Sequence, residues 1–212
     1  MSTAEQVAKA LLDIGAVGFS LDNPVTFKSG IKSPVYVDNR RLTYWPQQWK
    51  IVITAFQEKA AVLHFDVIAG VETAGIPHSA ALAFALDYPS VFIRKQPKEH
   101  GLKNRIEGGE VSGRRVLLIE DLVTTGGSSL AGVEALREAG ASASDCLAIV
   151  SYGFVEADAA FQQAAVRLHT LTDFATIARN AYEMQRISQS DMNAIKDWME
   201  DPHGWAAKHG LA

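Results

Sequence analysis

The strongest constraint on the fold is the alternation of short apolar runs with helix-length amphipathic segments between Trp45 and Leu171. Runs bounded by turn residues predict strands, and apolar residues at helical spacing predict helices. Strands that alternate with helices of this length pair in parallel, with helices on both faces of the sheet. We therefore predict an α/β fold with a mainly parallel, twisted sheet flanked by helices. The predicted strands are 66–71, 90–94, 115–120, 146–151 and 166–171, and the predicted helices include 75–86 and 128–139.

A different pattern precedes this alternation. An amphipathic helix opens the chain, and strand-like runs at 19–21, 25–27 and 35–37 follow, separated by turns that contain Gly or Pro. Such runs are typical of antiparallel strands. Residues 1–45 are therefore predicted to form an N-terminal helix and a small subdomain, which we call the hood.

The rest of the chain divides into a core and a tail. Residues 46–187 are the predicted core, and within it residues 95–113 are polar, rich in Gly and without periodicity. Long irregular segments in compact domains are often functional, so this segment is predicted to be a mobile loop that acts as a lid. Residues 188–212 are predicted to form a C-terminal helical tail, because Met192, Ile195 and Met199 have helical spacing.

Composition excludes several classes of protein. The chain is 48% hydrophobic and 21% charged, as expected of a soluble globular protein. Its densest apolar stretch, 80–86, is far shorter than the roughly 18 residues that a spanning helix needs. The N-terminal residues do not have the pattern of a signal peptide. The single cysteine, Cys146, cannot form an intrachain disulfide and is predicted to be inert core. We therefore expect a cytoplasmic protein without a membrane partner, and the net charge of −4 disfavours nucleic acid as a partner.

One segment, 116–128, combines three features that together indicate chemistry. A buried strand ends in two adjacent acids, Glu120 and Asp121, and a turn of Thr, Gly and Ser then opens a helix. In open α/β sheets, ligands bind at the carboxyl ends of the strands. Backbone N–H groups at a helix N-terminus, together with nearby hydroxyls, can bind a phosphate. The acids suit sugar hydroxyls or a metal ion; the alternative is an ordinary strand and capped helix with solvated acids.

This segment resembles the 5-phosphoribosyl 1-diphosphate (PRPP) signature of the type I phosphoribosyltransferases. Three other segments resemble the orotate phosphoribosyltransferase family, in that family's order. They are 28–40, similar to the hood that binds the acceptor, 70–77, similar to the diphosphate loop, and 94–108, similar to the mobile catalytic loop. The resemblance covers about residues 19–175 and is closest to the short bacterial branch.

The resemblance implies a type I phosphoribosyltransferase fold and a specific reaction. The phosphoribosyl group of PRPP is transferred to orotate, giving orotidine 5′-monophosphate and diphosphate in pyrimidine nucleotide synthesis, with Mg²⁺ as cofactor. The family is homodimeric, with lid residues shared across the interface. Two alternatives stay open: a phosphoribosyltransferase for another base, and a non-catalytic regulator of the same fold that senses PRPP and binds RNA.

The resemblance also implies roles for individual residues. The catalytic residues would be those that place positive charge against the departing diphosphate, namely Arg94, Lys95, Lys98 and His100. Glu120 and Asp121 would bind the ribose hydroxyls, directly or through Mg²⁺. The implied PRPP-binding residues are Glu72, Thr73, Glu120, Asp121, Leu122, Val123, Thr124, Thr125, Gly126, Gly127 and Ser128, and the implied orotate-binding residues are Lys28, Tyr36, Val37 and Thr124.

The sequence departs from the longer members of the family at two positions. Those members have a lysine where this chain has Ala74, so no role of a basic group transfers there. They also have an arginine for the orotate carboxylate where this chain reads Ser-Tyr-Gly-Phe at 151–154. Either Lys28, Arg40 or backbone groups bind that carboxylate here, or the acceptor is not orotate.

Overall fold

The computed structural model describes residues 1–27, 29–96 and 105–211. Its strands are β1 (Val17–Phe19), β2 (Val25–Thr26), β3 (Lys32–Ser33), β4 (Val35–Val37), β5 (Val67–Val71), β6 (Ser90–Ile93), β7 (Ile106–Glu107), β8 (Arg115–Val123), β9 (Ser142–Ser151) and β10 (Arg167–Asp173). Its α-helices are α1 (Thr3–Asp13), α2 (Pro46–Ala60), α3 (Gly75–Leu86), α4 (Gly127–Glu138), α5 (Val155–Gln163), α6 (Phe174–Glu183), α7 (Gln189–Glu200) and α8 (Trp205–Lys208).

The central sheet has six strands in the order β10-β9-β8-β5-β6-β7. Every neighbouring pair is parallel except β6 and β7, which are antiparallel. The predicted α/β class and the mainly parallel sheet are confirmed. Because the strands are parallel, the carboxyl ends of β5, β6, β8 and β9 lie along one edge of the sheet.

Three elements of the sheet differ from the sequence prediction. Strand β9 begins at Ser142, four residues earlier than predicted. Strand β8 continues to Val123 instead of ending at Glu120, because Leu122 and Val123 still pair with Val150 and Ser151 of β9. The segment 95–113, predicted to be irregular, contains β7, which pairs with β6 and forms the edge of the sheet. Two residues are too few to show a strand periodicity, so the sequence carried no signal for β7.

The hood consists of two antiparallel pairs and a 3-10 helix at Asn39–Tyr44. Strand β1 pairs with β4, and β2 pairs with β3, and both pairs are antiparallel. Strand β3 lies where the sequence predicts a turn, because Lys32 and Ser33 pair with Thr26 and Val25. The first strand lies two residues earlier than predicted, because Val17 is aligned with Val37 and Phe19 with Val35.

Helices cover both faces of the sheet and form two hydrophobic clusters. Leu117 and Ile119 of β8 belong to the cluster that includes α1, α2, α3 and α6, whereas Val116 and Leu118 belong to the cluster that includes α4 and α5. Alternate residues of a strand point to opposite faces, so an almost continuous apolar run is what a strand covered on both faces requires. Cys146 is buried and free, and burial raises its pKa well above the ordinary value.

The C-terminal tail packs on the hood and shares its hydrophobic cluster. Trp198 of α7 is fully buried, and its Nε1 donates a hydrogen bond of 3.0 Å to the carbonyl oxygen of Lys32 in β3. The Lys32 ammonium in turn donates to the Leu211 carbonyl at 2.7 Å. The tail therefore fixes the position of the hood above the sheet. Within the described ranges, no helix combines the length and the apolar character needed to cross a bilayer.

A buried carboxylate joins β9 to the edge strand β10. Asp145 accepts two hydrogen bonds from Arg167, at 2.8 and 2.7 Å, and its Oδ1 lies 2.8 Å from His169 Nε2. Burial alone would raise the pKa of Asp145, but the hydrogen bonds from Arg167, His169 and Ser144 together lower it to about 2. A carboxyl with a lowered pKa stabilises the fold above its unfolded pKa, and this stabilisation is lost as pH falls toward the folded pKa.

We predict that Asp145→Asn lowers the free energy of unfolding by about 2 kcal/mol at pH 7, which is the linkage value for this pKa difference. The difference between wild type and variant should shrink as pH falls from about 4 toward 2. Urea unfolding at pH 7, 4 and 3 measures it, with Asp158→Asn on the exposed surface as the control. A difference that does not change with pH would contradict this role of the carboxylate.

Candidate active site

Two adjoining cavities lie between the hood and the carboxyl ends of the parallel strands. The first has a volume of about 480 Å³ and is enclosed by the hood and the loop after β8. The second has a volume of about 300 Å³ and is enclosed by the hood, the ends of β5 and β8, and Lys95. Tyr36, Val37, Leu122 and Ser128 line both cavities, so the two form one continuous site.

The loop after β8 lines the first cavity. Thr124 to Gly126 connect the strand to α4, and Gly126 has φ of 84°. A Cβ at Gly126 would lie 2.9 Å from the Phe161 ring, so both the backbone conformation and the space require glycine. The N–H groups of the first turn of α4 have no partner within the helix and can bind an anion.

The two acids lie at the end of β8, at the border of the second cavity. Glu120 is 5% exposed; its Oε2 accepts a hydrogen bond of 3.2 Å from the Ser129 hydroxyl, and its Oε1 accepts one of 3.1 Å from the Asp121 N–H. Burial raises the pKa of Glu120 well above its ordinary value, and the charge of Asp121 adds to this effect. Burial also raises the pKa of Asp121. A buried and a half-buried carboxyl group thus lie next to each other at the cavity, which suits a ligand rich in hydroxyl groups or a cation.

A buried asparagine of the hood holds this strand end in place. The Asn39 side chain is fully buried, and its Nδ2 donates a hydrogen bond of 2.7 Å to the carbonyl oxygen of Asp121. This hydrogen bond connects the hood directly to β8 at Asp121.

The turn after β5, residues 72–74, also lines the second cavity, and we call it the Glu72 turn. Glu72, Thr73 and Ala74 line the cavity, and the Glu72–Thr73 peptide bond is cis. Gly75 packs so closely on β8 that a Cβ there would lie 2.7 Å from the Ile119 carbonyl oxygen. Glu72 Oε2 accepts a hydrogen bond of 2.8 Å from the backbone N–H of Lys95, which connects this turn to the segment after β6.

Arg40 of the hood lines the second cavity only. Its Nε donates a hydrogen bond of 2.6 Å to Asp38 Oδ1, and its Nη2 donates one of 3.0 Å to the Tyr36 hydroxyl. The guanidinium is therefore directed to the side of the acids and the Glu72 turn, away from the first cavity.

The structure brings together the described residues that the resemblance implicates, with one exception. Arg94 lines neither cavity among the described residues, and its guanidinium lies 3.7 Å from Glu107 of β7. Lys28, Lys98 and His100 lie outside the described residues. The implicated residues that line the two cavities are Tyr36, Val37, Glu72, Thr73, Lys95, Glu120, Asp121, Leu122, Val123, Thr124, Thr125, Gly126, Gly127 and Ser128.

The sequence prediction missed several residues that line the cavities. Tyr152 follows β9 directly, and its position at the carboxyl end of a parallel strand was the available signal. Thr26, Phe27 and Ser29 reach the first cavity only because the hood folds over it, which no local pattern indicates.

Among the described residues, no group of three or more His, Cys, Asp or Glu side chains is placed to hold a metal ion. Glu120 and Asp121 are a pair of carboxylates that line the second cavity. Two carboxylates at a cavity fit Mg²⁺, which is usually bound by one or two carboxylates together with substrate phosphates and waters.

Comparison with known proteins identifies the family. Residues 39–172 match the model of the phosphoribosyl transferase domain. An orotate phosphoribosyltransferase of Coxiella burnetii is 41% identical over 207 residues, which is 97% of this chain and 99% of that protein.

Solved structures show the same fold. The orotate phosphoribosyltransferase of Mycobacterium tuberculosis in complex with PRPP superposes with a TM-score of 0.64 at 25% identity, covering 83% of this chain and 99% of that one. A UMP synthase of Leishmania donovani superposes with a TM-score of 0.83 at 26% identity over 94% of this chain, but this chain spans only 42% of that protein. The likeness over the full length of the Coxiella protein, on a fold that carries the acids and the helix N-terminus at one cavity, shows that this chain belongs to the orotate phosphoribosyltransferase family.

Proposed function

We propose that this protein transfers the phosphoribosyl group of PRPP to orotate, giving orotidine 5′-monophosphate and diphosphate. The observation that carries the proposal is the continuity of the two cavities. A phosphate-binding loop, a carboxylate pair and the Glu72 turn follow one another along a single site. This is the order in which the 5-phosphate, the ribose hydroxyls and the diphosphate occur in PRPP.

The first cavity holds the 5-phosphate and the acceptor base. The loop Thr124–Gly126 and the N-terminus of α4 offer hydroxyls and N–H groups to the phosphate. The base lies between this loop and the hood, where Phe27 and Tyr36 supply aromatic surface. Lys28, adjacent to Phe27 in sequence, and Val37 belong to the same proposed acceptor site.

The second cavity holds the ribose and the diphosphate. The ribose hydroxyls bind to Glu120 and Asp121, and the diphosphate binds along the turn at Glu72 and Thr73. In the reaction the bond between C1′ and the diphosphate oxygen breaks as the orotate nitrogen attacks, and the electron pair leaves with the diphosphate. Lys95 lines this cavity, so its charge stabilises the negative charge that develops there. Orotate attacks as its nitrogen anion, so we assign no residue as a general base.

Mg²⁺ is the proposed cofactor, and Glu120 and Asp121 would hold it together with the ribose and diphosphate oxygens of the substrate. A divalent cation held there would supply positive charge that offsets the negative charge of the diphosphate. Both acids line the second cavity, which supports this assignment.

The active form is proposed to be a cytoplasmic homodimer in which lid residues of one subunit serve the other subunit's site. Lys98 and His100, with Arg94, are the proposed lid residues that bring positive charge to the diphosphate and exclude water. The free, buried Cys146 agrees with a compartment in which thiols stay reduced.

The direct test is PRPP-dependent release of diphosphate with Mg²⁺ present and one of four bases as acceptor. We expect turnover with orotate and little with uracil, hypoxanthine or adenine. Turnover with another base but not with orotate would overturn the acceptor assignment. Binding of PRPP without turnover on any base would favour a non-catalytic sensor of the same fold.

Lys98→Ala should lower kcat much more than it weakens PRPP binding, because its charge complements the transition state more than the bound substrate. We expect a loss of roughly 10²- to 10³-fold in kcat, typical for the removal of a group that stabilises developing charge. Steady-state kinetics and calorimetric titration with PRPP measure the two effects, with Lys59→Ala on the exposed surface of α2 as control. Equal losses in binding and turnover would show a role in binding alone.

Gly126→Ala should damage the phosphate-binding loop. The left-handed conformation costs a residue with a Cβ about 1–2 kcal/mol, and the contact with Phe161 displaces the loop. We expect kcat/KM for PRPP to fall roughly 10- to 100-fold as the bound geometry is disturbed.

Gly140→Ala is the matched control for this loop variant. Gly140 follows the C-terminus of α4, has φ of 80°, and a Cβ there would lie 2.9 Å from the Ser112 hydroxyl oxygen. This control should lose similar stability in thermal unfolding but keep its kcat/KM. If both variants lose kcat/KM equally, the effect of Gly126 is on the fold and not on the loop.

A further inference from the structure

One buried polar atom at the active site has no protein partner. Tyr152 is 1% exposed and lines the first cavity, and its hydroxyl makes no hydrogen bond within the described chain. Buried polar atoms are nearly always hydrogen-bonded, so an exception needs an explanation. The other unpartnered buried side-chain atoms of the described residues belong to residues that line neither cavity, namely Asn39, His78, Thr172 and Trp205.

Packing alone does not explain the hydroxyl. The ring of Tyr152 contacts Phe27, Phe154, Phe174 and Trp198, with ring centroids 5.3 to 5.6 Å apart. A phenylalanine would make the same aromatic contacts without burying an unsatisfied polar atom. The hydroxyl is therefore expected to have a partner that is present only when the site is occupied.

The hydroxyl is held as a hydrogen-bond donor. Burial raises the pKa of Tyr152 well above its ordinary value, and Tyr36 and Asp121 act in the same direction. Both of these residues line the site, so the phenol end of Tyr152 lies on the side of the cavities. The phenol keeps its proton at neutral pH and can donate one hydrogen bond.

The composition of the first cavity indicates what the partner is. Its described lining contains hydroxyls, backbone groups and apolar side chains, but no Lys or Arg. Arg40 of the hood is hydrogen-bonded to Asp38 and Tyr36 and lines the other cavity. Among the described lining residues, a carboxylate that enters the first cavity therefore meets only neutral donors. A hydroxyl bonded to a carboxylate forms a charge-assisted hydrogen bond.

On the basis of the proposed function, we propose that the Tyr152 hydroxyl donates a hydrogen bond to the carboxylate of orotate and determines the preference for an acceptor that carries this group. The aromatic cluster around Tyr152 holds the ring, and the tail residue Trp198 is part of that cluster. Tyr152 is thus a specificity-determining residue of the acceptor site.

The test compares two nucleotides that differ only in the carboxylate. Calorimetry gives the dissociation constants of orotidine 5′-monophosphate and uridine 5′-monophosphate for wild type and Tyr152→Phe. We expect the variant to bind orotidine 5′-monophosphate roughly 10- to 100-fold more weakly, the range of a hydrogen bond to a charged group, and uridine 5′-monophosphate within about twofold of wild type. KM for orotate should rise by a similar factor while KM for PRPP stays constant.

Tyr182→Phe is the matched control, because Tyr182 is 40% exposed and lines neither cavity. It should leave all four constants unchanged. Equal weakening of both nucleotides by Tyr152→Phe, or no weakening of either, overturns the inference.

A crystal structure of the wild-type enzyme with orotate is a second measurement that does not depend on a variant. The inference requires a Tyr152 hydroxyl oxygen within about 3 Å of a carboxylate oxygen, and a separation beyond about 3.5 Å overturns it. If the wild type releases no diphosphate with orotate, the proposed function fails and this inference fails with it. If the wild type turns over orotate and Tyr152→Phe keeps its KM, only this inference fails.

Discussion

Parallel pairing of β8 with β9 as far as Val123 and Ser151 is the interaction on which the site depends. It carries Glu120 and Asp121 to the edge of the sheet as part of a hydrogen-bonded strand, and it fixes where the loop to α4 begins. The same pairing places Tyr152 immediately beyond β9, beside the loop. A pair of acids on a free loop would be solvated, whereas here burial raises the pKa of both carboxyl groups. The two acids stay close because they are neighbours in a paired strand.

The hood completes the site from the other side, and its position depends on contacts distant in sequence. Asn39 binds the Asp121 carbonyl oxygen, and Trp198 of the tail binds the Lys32 carbonyl oxygen. The hood has only short strands of its own, and two-stranded pairs of this size are not stable alone. Burial of its apolar residues against the sheet, α1 and the tail supplies the stability that the hood lacks.

The acceptor side and the donor side of the site differ in their physical character. The donor side has opposed charges: the acids, Arg40 and Lys95 lie around one cavity. The acceptor side is aromatic and neutral within the described residues, with a single buried hydroxyl that has no protein partner. A site of this kind binds a flat base by packing and discriminates among bases by a few hydrogen bonds.

By itself the sequence determined the fold class, most of the elements and the phosphate-binding segment, because these depend on local patterns. Helix α3 was predicted at its observed bounds, and the loop at 124–126 and the acids before it lie where the motif indicates. It did not determine the extension of β8 to Val123, the short strand β7 or the direction of Arg94 toward Glu107, because each depends on a neighbouring strand. Only the tertiary structure decided that Tyr152, Phe27 and the tail residue Trp198 form one cluster beside the acceptor cavity. Contacts between residues more than a hundred positions apart are set by how the sheet, hood and tail pack together, and no local sequence pattern encodes them.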